Sequence, residues 1–330
     1  DQVPSTKYQV LFAICILIFA FASASAQVLE QQEIPDALAA RTVSLRFETL
    51  DLRHGLSQGW VFKILQDRHG FIWLGTQDGL NRYDGQTFKV YRSQPFDTTT
   101  INEGWIWDIV EDKNGFLWAA TWGGGLNRLD PVTEKFTRYL HDPEIPTSIP
   151  SDRVRSLLAT DDGTLWLGTA DGLAKMQLDH PGVFQTFKHD STKAGSLPND
   201  DVHAIYQDGS GTIWLSLHDG LARLSDLDAM SFTVHMTGDE VEEAARNREG
   251  DHEVWRAFER PEEPGILWVG TEFGLVRFDT DSGQWARYVP DPAAGFRNWI
   301  YSVSQDPLNP SVLWLPSAGL GLHRFDLRTK

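Results

Sequence analysis

The sequence is poor in cysteine, methionine and positive charge. Its 330 residues hold one cysteine, three methionines, and 29 Lys and Arg against 46 Asp and Glu, which gives a formal net charge of −17. A single cysteine cannot close a disulfide within the chain or build a cysteine-rich metal centre. The deficit of positive charge argues against a nucleic-acid partner, because phosphate contacts require an excess of Lys and Arg.

The apolar run at residues 10–22 is too short for a membrane-spanning helix, which takes roughly 20 apolar residues. Lys7 precedes the run and a small-x-small triplet, Ala-Ser-Ala, follows it at 24–26. This arrangement is typical of a secretory signal peptide, which we predict at residues 1–26, with an uncleaved membrane anchor as the alternative. Cys15 lies inside this segment, so the exported chain would contain no cysteine.

What the sequence has in abundance is tryptophan, 13 in all, and six of the tryptophans belong to an internal repeat. The repeat reads FIWLGTQDGLNRYD from Phe71 and returns as TLWLGTADGLAKM from Thr164 and ILWVGTEFGLVRFD from Ile266. A period of roughly 40–50 residues is typical of a propeller or another repeat array. The six repeated tryptophans are Trp73, Trp118, Trp166, Trp214, Trp268 and Trp314.

Each repeat contains short apolar or alternating runs that are typical of β-strands. In the first repeat, 61–67 precedes the tryptophan strand, a Leu-x-Arg strand follows it, and 88–92 ends the repeat. Four antiparallel strands joined by short turns make one propeller blade. The sequence therefore predicts an all-β fold, a β-propeller of four-stranded antiparallel blades at residues 44–330, with six repeats present. Equivalent first strands are predicted at 106–112, 154–162, 202–208 and 300–306, and equivalent last strands at 136–140, 184–188, 232–236 and 285–289.

Several further expectations concern the parts around these repeats. Residues 27–43 are predicted as a linker, and residues 43–50 as a strand that closes the ring. The acidic stretch 238–253 is predicted as a solvated excursion from one blade. The sixth repeat stops at Lys330 after its third strand, so we expect a longer polypeptide with a seventh blade.

The repeated tryptophans are predicted to be core residues. A single blade cannot bury both of its faces, so its stability must come from stacking against its neighbours. An indole has the bulk to fill the wedge between two blades. The small residue two positions later, such as Gly75, Gly168 or Gly270, would let two backbones approach closely.

The string D-x-x-G-F-[IL]-W-[LA]-[GA]-T-x-x-G-L-N-R, present from Asp67 and again, one glycine longer, from Asp112, closely resembles the two-component regulator propeller repeat. The resemblance extends over residues 44–330. It implies a seven-bladed propeller, usually one of two in tandem, followed by an immunoglobulin-like domain, a membrane span and a histidine kinase. It further implies an ectodomain that senses extracellular signals, often glycan fragments, in a receptor of the bacterial inner membrane.

A ligand site is expected on the face where the innermost strands begin, together with the loops between second and third strands. Tryptophans precede three innermost strands there, and Arg or Asp takes the same position in two others. Aromatic faces beside Asp, Asn and Arg suit a sugar. The alternative is that these tryptophans merely plug the channel. The predicted ligand-binding residues are Trp60, Trp105, Trp122, Arg153, Asp171, Asp219, Glu272, Arg297 and Trp299.

Two other function classes stay open: a propeller enzyme of the lyase or glycosidase type, for which His203 or His218 would be the candidate base, and a protein-interaction scaffold. The sequence shows no nucleophile-elbow motif and no metal-ligand spacing of histidines, so no catalytic residue, metal or cofactor is predicted. The expected partners are a small extracellular ligand, such as an oligosaccharide, and a second copy through the full-length receptor. Membrane contact is expected only through segments outside this chain or an uncleaved N-terminal segment.

Overall fold

The computed structural model describes residues 49–218, 220–227, 229–237, 254–272, 274–289, 299–317 and 321–329. The predicted signal peptide and linker lie outside these residues. So does the predicted closing strand, except for Thr49 and Leu50, which form no strand. The one short helix of the described residues is a 3₁₀ turn, Leu52–His54.

The described strands fall into six antiparallel sheets, one for each repeat. Blade 1 contains β1 (Val61–Gln66), β2 (Ile72–Thr76), β3 (Gly79–Tyr83) and β4 (Phe88–Tyr91). Blade 2 contains β5 (Ile106–Glu111), β6 (Leu117–Thr121), β7 (Leu126–Asp130) and β8 (Lys135–Tyr139). Blade 3 contains β9 (Val154–Ala159), β10 (Thr164–Thr169), β11 (Gly172–Gln177) and β12 (Gln185–Phe187).

The second half of the chain repeats the plan. Blade 4 contains β13 (Val202–Gln207), β14 (Ile213–Leu217), β15 (Gly220–Asp226) and β16 (Ser231–Thr237). Blade 5 contains β17 (Val254–Glu259), β18 (Ile266–Thr271), β19 (Gly274–Asp279) and β20 (Trp285–Tyr288). Blade 6 has three strands among the described residues, β21 (Ser304–Gln305), β22 (Val312–Ser317) and β23 (Gly321–Asp326).

Within every blade the strands pair in chain order, and the first strands of successive blades pack side by side, β1 on β5, β5 on β9, β9 on β13 and β13 on β17. The first strands are therefore innermost and line a central channel. The prediction of an all-β propeller with antiparallel blades is confirmed. Blade 5 differs from the strand predictions, since β17 begins directly after the acidic stretch and was not foreseen. In blade 6, only Ser304–Gln305 of the predicted run 300–306 is strand.

The repeated tryptophans form the core, as predicted. Trp118 packs in one cluster with Val154 and Leu165 of the next blade, and Trp166 packs likewise against Val202 and Leu215. Trp73, Trp214 and Trp268 fill the same position in their own wedges. All five are at most 2% exposed, whereas Trp314 of blade 6 is half-buried. Each fully buried indole thus joins its own blade to the following one.

A carboxylate in the first hairpin of the blade holds the tryptophan in place. Asp67 Oδ2 accepts a hydrogen bond from Trp73 Nε1 at 2.7 Å, while its Oδ1 accepts from the backbone N–H groups of His69 and Phe71, each at 2.9 Å. One side chain therefore closes the β1–β2 turn and satisfies the buried indole N–H. The same bond recurs at 2.8 Å in the pairs Asp112–Trp118 and Asp208–Trp214 and at 3.0 Å in Asp306–Trp314.

The small residues after the tryptophans allow the close approach that was expected of them. A Cβ at Gly75 would lie 2.9 Å from Ile106 Cγ2 of blade 2, and one at Gly168 would lie 2.9 Å from Val202 Cγ1 of blade 4. A Cβ at Gly270 would overlap the backbone carbonyl oxygen of Ile300. These glycines set the spacing between the innermost strands of adjacent blades.

We expect Gly270→Ala to lower the free energy of unfolding by about 1–3 kcal/mol, because the added methyl group meets a backbone atom that cannot rotate away. The matched control is Gly123→Ala, where an added Cβ would meet nothing within 4 Å. Urea unfolding followed by tryptophan fluorescence measures both variants. Equal stability of the two variants would contradict the close-approach role of Gly270.

We expect Asp112→Asn to lower the free energy of unfolding by about 1–3 kcal/mol, because the new amide N–H₂ group would face the indole N–H and leave a buried donor unsatisfied. Asp84→Asn is the control: Asp84 also caps a turn, accepting from Gln86 N at 2.8 Å and Thr87 N at 2.7 Å, but it is exposed. The same urea experiment compares them, and a larger loss in the Asp84 variant would refute the role assigned to the buried carboxylate.

Candidate functional site

The innermost strand of each four-stranded blade contains a β-bulge at its second residue. In blade 1, Val61 pairs with Thr76 and Lys63 with Gly75, so Phe62 is left out of the register. A bulge leaves one extra residue unpaired and re-aims its side chain. The bulged residues are Phe62, Trp107, Arg155, His203 and Trp255, and Tyr301 takes the corresponding place in blade 6.

Aromatic rings gather at the start of the innermost strands of blades 1 and 2. The rings of Trp105 and Trp107 are stacked, with centroids 6.2 Å apart and planes 9° from parallel. Trp122, from the loop between β6 and β7, lies 5.9 Å from Trp105 and 5.2 Å from Trp107, and Phe62 lies 5.1 Å from Trp107. We call Phe62, Trp105, Trp107 and Trp122 the tryptophan cluster.

Two arginines of blade 3 flank this cluster. Arg153 pairs with Trp122 in an isolated β-bridge, and its guanidinium carbon lies 5.7 Å from the centre of the Trp122 ring. The guanidinium carbon of Arg155 lies 5.5 Å from the same ring. Both separations are within the range of cation–π attraction. The Trp122 ring is therefore held in a fixed position between two positive charges.

Arg155 also connects the cluster to blade 4. Its Nη1 lies 3.0 Å from Asp201 Oδ1 and donates a hydrogen bond to His203 Nε2. His203 Nε2 is 3.4 Å from Asp201 Oδ2, and its ring centre is 6.2 Å from that of His218. Burial alone would raise the pKa of Asp201, but the neighbouring His203 ring and the charge of Arg155 hold it below its usual value. Asp201 is therefore ionised at neutral pH.

Aromatic contacts continue around the channel from blade 4 to blade 6. The His203 ring centre lies 5.7 Å from Trp255, Trp255 lies 5.3 Å from Tyr301, and Tyr301 lies 6.4 Å from Trp299. The side chains at the beginning of the innermost strands thus form an arc that touches all six blades. We call this arc, together with the tryptophan cluster and its two arginines, the channel mouth.

One residue after the bulge, the innermost strands place a charged triad in the channel. Asp108 Oδ1 lies 2.7 Å from Lys63 Nζ and 3.9 Å from Arg256 Nη2, and its Oδ2 accepts from Leu157 N at 3.0 Å. Burial would raise the pKa of Asp108, but the two cations outweigh that effect and lower it. Burial lowers the pKa of Lys63, against the opposing influence of Asp108. One carboxylate is thus shared by two cations from different blades.

The structure describes seven of the nine predicted site residues. Trp105, Trp122 and Arg153 come together in the channel mouth, and Trp299 lies at its far end. Trp60 is 52% exposed and precedes β1, and Glu272 is buried after β18. Asp171 is exposed and its carboxylate lies 2.7 Å from Lys188 Nζ. Asp219 and Arg297 lie outside the described residues.

The sequence-based prediction missed the bulged residues, above all Trp107, Arg155 and Trp255. A signal for them exists: the second residue of the first strand in blades 1–5 is aromatic, Arg or His, in V-F-K, I-W-D, V-R-S, V-H-A and V-W-R, and I-Y-S of blade 6 has Tyr at the corresponding place. Simple alternation assigns that residue to one blade face, and only the bulge turns it toward the channel.

The described part of the chain brings together one group of potential metal ligands. These are Asp201, His203 and His218, whose ligand atoms all lie within 4.8 Å of one another. Two imidazoles and a carboxylate are a frequent ligand set for zinc. However, Arg155 donates to His203 Nε2 and pairs with Asp201, so a guanidinium occupies the place of the cation. The geometry fits an Arg–Asp–His network and does not fit a metal ion.

The repeats of blades 1–4 match a known protein family. The family described as two component regulator propeller matches residues 55–78, 100–123, 148–171 and 196–219, the equivalent segments of blades 1–4. Histidine kinase P4 of Formosa agariphila is 46% identical over 66 residues, which are 20% of this chain and 5% of that protein. The chain therefore spans a small part of the curated relative that it matches.

Solved structures show the same fold. The extracellular domain of the hybrid two component system BT3049 from B. thetaiotaomicron aligns with a TM-score of 0.69 and 23% identity, covering 86% of this chain and 36% of that one. The extracellular domain of BT4673 from the same organism gives 0.61 and 25%, covering 81% and 31%. A virginiamycin B lyase from Staphylococcus aureus aligns at 0.57 with 13% identity, which is a likeness of fold alone.

The family match includes most of the repeats at Asp67 and Asp112 that carry the resemblance. No helix among the described residues is long and apolar enough to cross a membrane. The chain is similar to extracellular domains of two-component systems in both repeat sequence and fold. The resemblance is confirmed for four repeats, since the two component regulator propeller family matches the equivalent segments of blades 1–4.

Proposed function

We propose that this chain is the extracytoplasmic ligand-sensing propeller of a two-component signal-transduction receptor, and that its channel mouth binds a saccharide. The observation that carries the proposal is the tryptophan cluster, flanked by Arg153 and Arg155 at the place where the innermost strands begin. Sugar rings present C–H faces that stack on indoles, and hydroxyl groups that bond to Arg and Asp. Both kinds of group lie side by side here.

The position of the cluster suits a sensor. A ligand on Trp122 would contact a loop of blade 2, while Arg155 and Trp255 belong to blades 3 and 5. Such a ligand would tie together blades that are not neighbours in the ring, and so would favour one arrangement of the ring over others. A conformational signal requires this difference in affinity between two states.

The remaining parts of the proposal lie beyond the described residues. The signal peptide at residues 1–26 would export the chain, and the kinase of the full-length receptor would lie beyond Lys330, in a protein of the inner membrane. The receptor would dimerise through those other parts. The segment itself is proposed to bind without turnover, since Arg155 holds His203, the candidate base of the lyase-type alternative.

We expect Trp122→Ala to weaken saccharide binding at least tenfold, because it removes the ring that both arginines and both neighbouring indoles contact. The measurement is a thermal-shift screen of oligosaccharides, followed by calorimetric titration of each stabilising compound. Phe96→Ala is the matched control, since Phe96 is a fully exposed aromatic residue outside the channel mouth. Equal affinities of the two variants would contradict the proposed site.

The same titrations separate the sensor from the other two function classes. A sensor returns the bound saccharide unchanged, whereas a lyase or glycosidase converts it to products that chromatography detects. An interaction scaffold shows no stabilisation by any small saccharide. Product formation or a complete lack of stabilisation would each count against the proposal.

A further inference from the structure

The channel mouth carries hydrogen-bond donors that have no acceptor. Four donor atoms are buried and, among the described residues, have no hydrogen-bond partner: Nε1 of Trp105, Trp107 and Trp255, and Nε of Arg155. An indole N–H can only donate. A buried donor without an acceptor is destabilising, so the mouth is poorly satisfied at several points.

Most acceptors on the same face are already engaged. Asp108 binds Lys63 and two backbone N–H groups, those of Ile109 and Leu157. Asp201 forms ion pairs with Arg155 and His203, and its Oδ1 is the one buried acceptor of the described mouth residues without a hydrogen bond, against four such donors. Three exposed carboxylates around the mouth also have partners: Asp78 pairs with Arg92, Glu103 accepts from Gly104 N, and Asp171 pairs with Lys188. The mouth therefore offers donors to a ligand.

The charges in and above the channel point the same way. Lys63 and Arg256 share one carboxylate, and Arg155 is opposed by Asp201 alone. Arg153 is exposed and lies over Trp122. Together with Glu103, which accepts from a backbone N–H group, these groups give four cations against three anions, in a protein whose formal net charge is −17. A local positive potential of this kind concentrates anions in a cleft.

We infer that the channel mouth selects a saccharide that carries an oxyanion, a carboxylate or a sulfate, with the anion held by Arg153, Arg155 and the indole N–H groups of Trp105 and Trp107. The inference rests on the proposed function and names its ligand class. An oxyanion supplies acceptors for the unpartnered donors and negative charge for the excess of cations. A neutral sugar would bring hydroxyl groups but would leave the excess cations unpaired.

The experiment uses the full chain and three uronate trisaccharides, of galacturonate, glucuronate and mannuronate, each with its fully methyl-esterified counterpart. A sulfated galactose trisaccharide and its unsulfated parent distinguish sulfate from carboxylate as the source of the oxyanion. Calorimetric titration measures all affinities. We expect at least one anionic member of these pairs to bind tenfold or more tightly than its neutral counterpart, and its affinity to fall as salt is added.

Two variants assign that preference to residues. Trp107→Phe removes one indole N–H but keeps an aromatic ring, and Phe62 shows that a phenyl ring fits the equivalent bulge of blade 1. Arg153→Gln removes the exposed cation. Each should weaken binding of the anionic ligand about tenfold and that of its neutral counterpart less than threefold. Arg328→Gln is the control for net charge, since Arg328 pairs with Asp326 far along the chain, and it should change neither.

Each outcome gives a decision. Equal affinities for anionic and neutral members overturn the inference and leave the saccharide-sensing function standing. An anionic preference that survives both variants also overturns it, because the anion would then bind elsewhere. Failure of every saccharide, charged or neutral, to bind removes the proposed function and the inference with it. Melting temperatures of the variants show that each is folded.

Discussion

Burial of an indole between neighbouring blades is the constraint on which the assembly depends, and in blades 1, 2 and 4 an aspartate supports it by accepting the indole N–H. In blades 1, 2 and 4 the aspartate closes the first hairpin with one oxygen and fixes the tryptophan with the other. The tryptophan then fills the wedge toward the next blade. Turn, blade and blade-to-blade packing are thus coupled through one carboxylate. Because each blade has only its neighbours to pack against, the same constraint must be met again in every repeat.

Blades that depart from this arrangement show what it requires. In blade 3, Thr160 and Asp162 close the first hairpin, where Asp162 accepts from Thr160 Oγ1 and from Thr164 N. In blade 5, Glu263 reaches Trp268 Nε1 at the longer distance of 3.4 Å. The tryptophans of both blades remain at most 2% exposed. Burial of the indole is therefore the fixed requirement, and the identity of the acceptor is variable.

The sequence predicts those features of the fold that arise from repetition. Six aligned tryptophans, the glycines after them and alternating strands such as Phe88–Tyr91 specify blades and wedges without any knowledge of the ring. Strand β17 was missed because the acidic stretch before it obscures its beginning. For the channel mouth, Trp105 and Arg153 were predicted from their equivalent positions and Trp122 from the loop between second and third strands, and the structure brings these three together. Trp107 and Arg155 were not, because a bulge is a property of the pairing between two strands and leaves no trace in the alternation of one.

The bulge at the second residue of the innermost strands has a consequence for how such propellers diverge. The bulged residue takes no part in the register of strand pairing. Five blades have Phe, Trp, Arg, His and Trp at that position. Substitutions there leave the wedge tryptophans and their aspartates untouched. Duplicated copies of such a gene can therefore acquire new recognition chemistry one blade at a time, while the scaffold that carries it is inherited unchanged.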